Sequence, residues 1–247
     1  AITPDSKRVV SGSGDKTVKV WDLETGKEIF TLTGHADWVN SVAVTADGTM
    51  AISGSEDKNI KVWSLETGEE LFTFLGHADG IKAVAVTPDG KWVISASGDT
   101  TLKVWSLGKE NNIVANLWNL AVKNQLFTLK GHENSVNAVA VTADGKWVIS
   151  GGRENNLKVW NLSSRKEVFT LAGHADAVTS VATVGNKVIS VSDDNTLKVW
   201  DLLSREEIAS FRGDSALKAC AIAPDGVTIV AAEASGQVHF LRLEEGK

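Results

Sequence analysis

The sequence predicts an all-β fold: a β-propeller built of four-stranded antiparallel blades. Three observations carry that prediction. A period of about forty residues returns along the chain, opened by Gly-His at Gly34, Gly76, Gly131 and Gly173 and in altered form by Gly213-Asp214. Each period holds short runs of apolar and β-branched residues of strand length. The runs are divided by turn chemistry: TADG at Thr45 to Gly48, TPDG at Thr87 to Gly90, TADG at Thr142 to Gly145 and APDG at Ala223 to Gly226. There Asp-Gly supplies a residue tolerant of positive φ. One such sheet cannot bury both of its faces, so neighbouring sheets must pack against it.

Six units follow in order, 1–33, 34–75, 76–130, 131–172, 173–212 and 213–247, read together as one propeller domain. In the first, Ala1 to Thr3 match the end of an opening strand, because AITPDS aligns with AVTPDG at Ala85 to Gly90; RVVSGS, TVKVWDL and EIFTL then supply three more strands. The second unit is the most regular, with VNSVAV, AISGS, a run ending at Trp63, and ELFTF. The third carries an insertion: Trp105 lies 26 positions before Gly131, whereas Trp63 lies 13 before Gly76. The extra segment, about 108–120, resembles GRENNLKVWNL at Gly152 to Leu162, which points to a local duplication. TLKVWSL is expected to be the strand and the insertion a loop at the outer rim. Units four and five repeat the pattern through Trp160 and Trp200. The sixth runs through LKACAIAPDG, VTIVAA and GQVHFLRL and lacks a fourth run. Ala1 falls in mid-repeat, so the sequence is expected to belong to a longer chain or to leave an open edge suited to self-association. Six units fit a closed six-bladed ring or part of a seven-bladed one.

Composition narrows the function classes. The formal net charge is −6 and no basic block occurs, which argues against a nucleic-acid partner. No apolar run is long enough to span a bilayer, so no membrane role is expected. The one cysteine, Cys220, sits in an apolar run and reads as a core residue; its solitude fits a reducing compartment, and a cytoplasmic location is expected. Four of the five histidines are the Gly-His residues, one per unit, and are held too far apart to share a metal; no phosphate loop occurs, and neither metal nor cofactor is expected.

With Gly-His, then Asp, then Trp-Asp or Trp-Ser recurring in that order, the chain resembles the WD40-repeat family over nearly its whole length. The resemblance implies a propeller whose usual work is to hold other proteins by its top face. It also implies structural tetrads: His35, Ser53, Asp57 and Trp63; His77, Ser95, Asp99 and Trp105; His174, Ser190, Asp194 and Trp200. His132, Ser150 and Trp160 belong to a fourth set with Glu154 in place of the aspartate, and Ser11, Asp15 and Trp21 to one without its histidine. In the sixth unit Asp214, Ala231, Ser235 and Leu241 occupy the places, and its stability is put in doubt. A Ser, His and Asp set resembles a hydrolase triad. Its recurrence in several units, the constant Trp and the absence of a Gly-x-Ser-x-Gly elbow favour a hydrogen-bonding role, and no catalytic residue is expected.

Positions that vary between units are the expected partner contacts. By resemblance they lie at the top rim: Trp38, Asn40, Glu56, Gly80, Lys82, Ser135, Asn137, Arg153, Ala177, Thr179 and Asp193. Trp38 and Arg153 are of the types that anchor interfaces. The expected function is a non-catalytic scaffold or sensor module that binds a protein or peptide. The alternatives are the sensing module of a larger signalling NTPase or kinase, and a structural oligomerising unit.

Overall fold

The computed structural model describes residues 1–108 and 125–244. The insertion expected at about 108–120 lies, Gly108 apart, outside these residues. Every described element is a β-strand. Two compact units divide the chain between Lys130 and Gly131.

The first unit holds three sheets, here called blades one to three. Blade one is formed by β1 (Arg8–Gly12), β2 (Val18–Asp22) and β3 (Glu28–Leu32), with an isolated bridge from Ile2 to Val9. Blade two runs in sequence order through β4 (Val39–Val44), β5 (Met50–Ser55), β6 (Asn59–Ser64) and β7 (Glu70–Leu75). Blade three is formed by β8 (Ile81–Val86), β9 (Trp92–Ser97), β10 (Thr101–Ser106) and β11 (Gln125–Lys130). Because β10 pairs with both β9 and β11, TLKVWS is the third strand, and the fourth resumes beyond the insertion.

The second unit repeats the plan. Blade four contains β12 (Val136–Val141), β13 (Trp147–Gly152), β14 (Asn156–Asn161) and β15 (Lys166–Ala172). Blade five contains β16 (Val178–Val184), β17 (Lys187–Ser192), β18 (Thr196–Asp201) and β19 (Glu206–Arg212). Blade six contains β20 (Leu217–Ile222), β21 (Thr228–Glu233) and β22 (Val238–Arg242). All pairings within these sheets are antiparallel.

The turns form as their residues dictate. In the β4–β5 turn Thr45 Oγ1 donates to Asp47 Oδ1 (2.6 Å) and accepts from Met50 N–H (3.1 Å), while Gly48 takes φ +69°. Thr87 with Asp89 and Thr142 with Asp144 repeat this closure at 2.6 Å.

The core lies between adjacent blades. Blades one and two share Val18, Val20, Leu32, Val39 and Trp63, all buried. Blades two and three share Ile52, Val62, Phe74, Ile81 and Trp105, with Phe74 and Trp105 stacked at 5.6 Å. Blades four and five share Ile149, Val159, Val178 and Trp200, and Trp147 packs at the edge of that cluster. Trp92 instead meets Phe127 of its own sheet edge-on, at 6.4 Å.

Close approach in these seams requires glycine in the second strand. A Cβ on Gly54 would meet Ile81 Cγ2 at 2.6 Å and Val84 Cγ1 at 2.8 Å, and one on Gly151 would meet Val178 Cγ1 at 2.4 Å. The missing side chain lets the next blade seat its first strand. We therefore expect Gly54→Val to lower unfolding free energy by about 1–3 kcal/mol through overpacking. Urea denaturation measures it, and an unchanged midpoint would refute this account of the seam.

Candidate functional site

Each tetrad is assembled from one sheet. In blade two, Trp63 Nε1–H donates to Ser53 Oγ (2.8 Å), Ser53 Oγ lies 2.7 Å from His35 Nε2, and His35 Nδ1 lies 2.8 Å from Asp57 Oδ2. A carboxylate only accepts, so Nδ1 carries the proton and Nε2 accepts from the serine. Asp57 Oδ2 also accepts from Ala36 N–H (2.9 Å), and Oδ1 from Asn59 N–H (2.9 Å), which ties the Gly-His segment to the β5–β6 turn. Blade three repeats the chain through Trp105, Ser95, His77 and Asp99, and blade five through Trp200, Ser190, His174 and Asp194. In blade one, Trp21 Nε1–H donates to Ser11 Oγ (2.9 Å), while Asp15 is exposed and caps its own turn by accepting from Thr17.

Electrostatics fit a fastening. Burial lowers the pKa of His35, His77 and His174 and outweighs the neighbouring carboxylates, so these imidazoles stay neutral. Burial opposes the charge of Asp99 and Asp194, but the bonds from Thr101 or Thr196, from the N–H after the histidine, and from the histidine outweigh it; both carboxyls are lowered to about 2. Ser53, Ser95, Ser150 and Ser190 are completely buried, so no substrate carbonyl can reach their oxygens.

Blade four shows what the aspartate provides. Glu154 Oε1 meets His132 Nδ1, but the longer side chain leaves Oε2 buried without a hydrogen-bond partner among the described residues. That oxygen occupies the space beside Gly152, where a Cβ would come within 2.8 Å of it; the corresponding position in the other four-stranded sheets is Ser55, Ser97 or Ser192.

Blade six replaces the tetrad with a different network, which the sequence did not disclose. Glu233, 5 % exposed, accepts from Asp214 N–H (2.9 Å), Ser215 Oγ (3.0 Å) and Ser235 Oγ (2.8 Å), and pairs with His239 Nε2 (2.8 Å). The bond from His239 is the largest influence holding its carboxyl down at about 2. Thus His239, which stands alone in the sequence, is paired, and Asp214 and Ser235 enter the network as donors. Its signals were a glutamate at the end of β21 and a histidine at the place of Lys61 in the third strand.

A second repeated set was also missed. Lys19 with Glu28 (2.6 Å), Lys61 with Glu70 (2.7 Å), Lys158 with Glu167 (3.0 Å) and Lys198 with Glu207 (2.7 Å) join third and fourth strands. Three of these lysines lie over the tryptophan two residues on, at 5.5 to 6.0 Å. The lysine two positions before each Trp was the available signal.

The variable positions fall at a structural irregularity. Asn40, Lys82, Asn137 and Thr179 are each the extra residue of a β-bulge at the start of the first strand. A bulge re-aims its side chain. Asn40 Nδ2 donates to Ile81 O (2.8 Å), Asn137 Nδ2 to Val178 O (3.2 Å), and Thr179 Oγ1 to Leu217 O (2.6 Å). Each therefore bridges to the first strand of the next blade. Lys82 pairs back to Glu56 (2.5 Å), which also accepts from Asn40 (2.8 Å); Lys218, a bulge residue not anticipated as a contact, pairs with Asp193.

Two expected contacts are corrected: Gly80, over which the Glu56 carboxylate lies so close that a Cβ would collide with it, and Ala177 are both buried. Ser135 is half-buried and donates to Asn137 Oδ1 (3.1 Å). Trp38 is 59 % exposed; a Cβ on Gly14 would lie 3.7 Å from its Cδ1, so the indole extends beside the bare backbone of the blade-one turn. Arg153 is exposed, and its guanidinium makes no hydrogen bond or ion pair among the described residues.

The architecture is that of propeller blades fastened by a buried Trp, Ser, His and Asp chain. The WD domain, G-beta repeat family matches residues 1–22, 26–64, 68–106 and 123–161, and the chain belongs to the WD40-repeat family. The TEP-1 C-terminal beta-propeller family matches residues 174–243. Similar curated proteins include a probable serine/threonine-protein kinase, PkwA, of Thermomonospora curvata, 46 % identical over 41 residues, 17 % of this chain and 6 % of that protein. Nuclear distribution protein PAC1-2 of Postia placenta is 47 % identical and the Lissencephaly-1 homolog of Branchiostoma floridae 56 % identical, each over 34 residues, 14 % of this chain and 8 % of the relative. The matches thus span less than a tenth of these relatives.

Two outcomes are expected of the fastenings. The lowered histidine values mean that the unfolded chain takes up protons first as pH falls below the ordinary 6.5, so stability falls with pH there. The lowered aspartates add stability that is present above 3.8 and lost as pH falls towards about 2. Urea titrations should give a plateau above neutrality, a decline from about pH 6.5 and a steeper one below about pH 4; greater stability at pH 5.5 than at pH 7.5 would contradict this. For blade four, Glu154→Asp should raise stability by about 1 kcal/mol, by removing the unpaired buried oxygen and restoring the bonding of the other sheets. A fall in the midpoint would show that the longer side chain is better accommodated than its bonds indicate.

Proposed function

We propose that this chain is a non-catalytic propeller module that binds a protein or peptide through the Gly-His ends of its blades. The observation that carries the reading is Trp38, a large aromatic side chain left 59 % exposed at the start of β4. In the same blade and the next, the bulge residues Asn40 and Lys82 are fixed, each donating to Glu56. An anchor on a rigid, pre-ordered surface binds without a large ordering cost to the receptor. Membership of the WD40-repeat family, whose propellers are typically interaction scaffolds, supports the same reading. In the second unit, taken by itself, the exposed Arg153 is a candidate contact, its guanidinium making no hydrogen bond or ion pair among the described residues. The net charge of −6 favours a protein over a nucleic acid, and a cytoplasmic setting suits the single cysteine.

A second reading is favoured by one comparison. Similarity to a protein named as a probable serine/threonine-protein kinase supports a sensing module of a larger signalling protein, in which the bound partner would regulate an attached domain. The two readings share the binding surface and differ in what it controls. Self-association is the third, tested by concentration-dependent mass.

A photo-crosslinking residue at position 38, compared with one at the exposed Leu203, tests the surface. A discrete product in native extract from position 38, absent from position 203, is expected. Trp38→Ala should then weaken the purified partner by roughly 10- to 100-fold. Identical products from both positions would reject this surface.

A further inference from the structure

The four segments that follow Gly-His share one local contact. In each, the N–H after an Asp or Asn donates to that residue's own Oδ1: Trp38 to Asp37 (2.9 Å), Gly80 to Asp79 (2.7 Å), Ser135 to Asn134 (2.8 Å) and Ala177 to Asp176 (2.7 Å). In blades two, three and five, two further bonds fasten the segment. The N–H after the histidine donates to the tetrad aspartate, as Ala36 does to Asp57, Ala78 to Asp99 and Ala175 to Asp194. A serine at the end of the second strand donates to the carbonyl before the contact: Ser55 to Asp37 O (3.0 Å), Ser97 to Asp79 O (2.9 Å) and Ser192 to Asp176 O (2.9 Å). Blade four has neither bond. Gly152 stands in place of that serine and Glu154 in place of the aspartate, and among the described residues no hydrogen bond holds the Glu133 N–H or the Asn134 carbonyl. This least fastened segment is also the one that carries an amide, on the exposed Asn134, where the other three carry a carboxylate.

We propose that Asn134 is a site of spontaneous modification, at which the Ser135 backbone nitrogen closes on the side-chain amide and converts it to aspartate and isoaspartate. That nitrogen already touches the oxygen borne by the carbon it must attack, which holds the pair near the roughly 3–3.5 Å of a near-attack arrangement. The amide has a leaving group in ammonia, whereas the carboxylates of Asp37, Asp79 and Asp176 repel a nucleophile. A segment short of two bonds also reaches the ring-closing conformation by local opening more readily than its equivalents. In the step, base takes the Ser135 N–H proton, the nitrogen bonds to Asn134 Cγ, and the Cγ–Nδ2 bond breaks as water protonates Nδ2 and releases ammonia. Water then opens the five-membered imide at either carbonyl. Cleavage of the new N–Cγ bond leaves aspartate; cleavage of the old peptide bond leaves isoaspartate, with the chain continued through Cγ. One water is consumed for each ammonia released. The product adds a negative charge beside the turn in which Arg153 N–H donates to Ser135 O (3.0 Å), so this face of the second unit changes with the age of the chain. Asn40-Ser41 is the same dipeptide in a different setting: Asn40 Nδ2 donates to Glu56 (2.8 Å) and Ile81 O (2.8 Å), and Ser41 pairs with Gly54 across the β4–β5 ladder. The proposal does not depend on the protein-binding reading.

Peptide mapping by mass spectrometry of the whole chain, aged at pH 7.4 and 37 °C, tests it, with fragment ions assigning each amide-to-acid change to its residue. Asn134 should convert about 10-fold faster than Asn40 or more, with isoaspartate among the products. In chain unfolded by urea the two asparagines, both followed by serine, should convert within about 3-fold of each other. The double variant Gly152→Ser with Glu154→Asp, which restores the bonds of the other blades, should slow Asn134 by about 5-fold or more; should it misfold, the comparison of folded and unfolded parent chain still decides. Equal rates for Asn134 and Asn40 in the folded chain, a preference for Asn134 that survives unfolding, or a folded double variant that converts as fast as the parent would each overturn the proposal.

Discussion

The serine hydroxyl held between an indole N–H and an imidazole nitrogen is the interaction on which each regular blade depends. It lets three polar side chains and a large aromatic one be buried together, because every donor and acceptor in the chain finds a partner. The tryptophan can then present its remaining surface to the preceding blade, as Trp63 does to Val18 and Leu32. Polar fastening within a sheet and apolar packing between sheets are two consequences of one side chain's placement. Blade six buries a carboxylate and a histidine by a different set of bonds around Glu233, so this polar fastening is not tied to one set of positions.

Most of the architecture was legible because period, turn and strand patterns agree in each repeat. Asp47-Gly48 and its equivalents form the turns their chemistry demands, and TLKVWS forms the third strand of blade three although a second candidate followed it. Site detail was less legible, for a physical reason. Whether a side chain faces solvent or the neighbouring blade at the start of a first strand depends on a bulge, and a bulge is a property of pairing rather than of local composition. Asn40, Asn137 and Thr179 therefore read as surface variation but form bridges. Likewise Glu233 and His239 are unremarkable at their own positions; only the strand register brings them together.

The bulge bridges qualify the meaning of variability. Asparagine and threonine differ in shape, yet both reach the same carbonyl of the next first strand. Variation at such a position is permitted by a shared acceptor and needs no change of partner to explain it. Trp38 and Arg153 are different, since among the described residues neither the indole N–H nor the guanidinium makes a hydrogen bond.

Because each tetrad is completed inside one sheet, a repeat carries its polar partners with it. Within each unit, what such a repeat meets in its neighbour is an apolar wall and, from Asn40, Asn137 and Thr179, a backbone carbonyl. A gene segment encoding one blade can therefore be copied or lost by unequal recombination without stranding a buried charge. The near-identity of GHAD and KVW segments along the chain is the trace such exchange would leave. Selection is then free to diversify the few side chains that the fastening does not use.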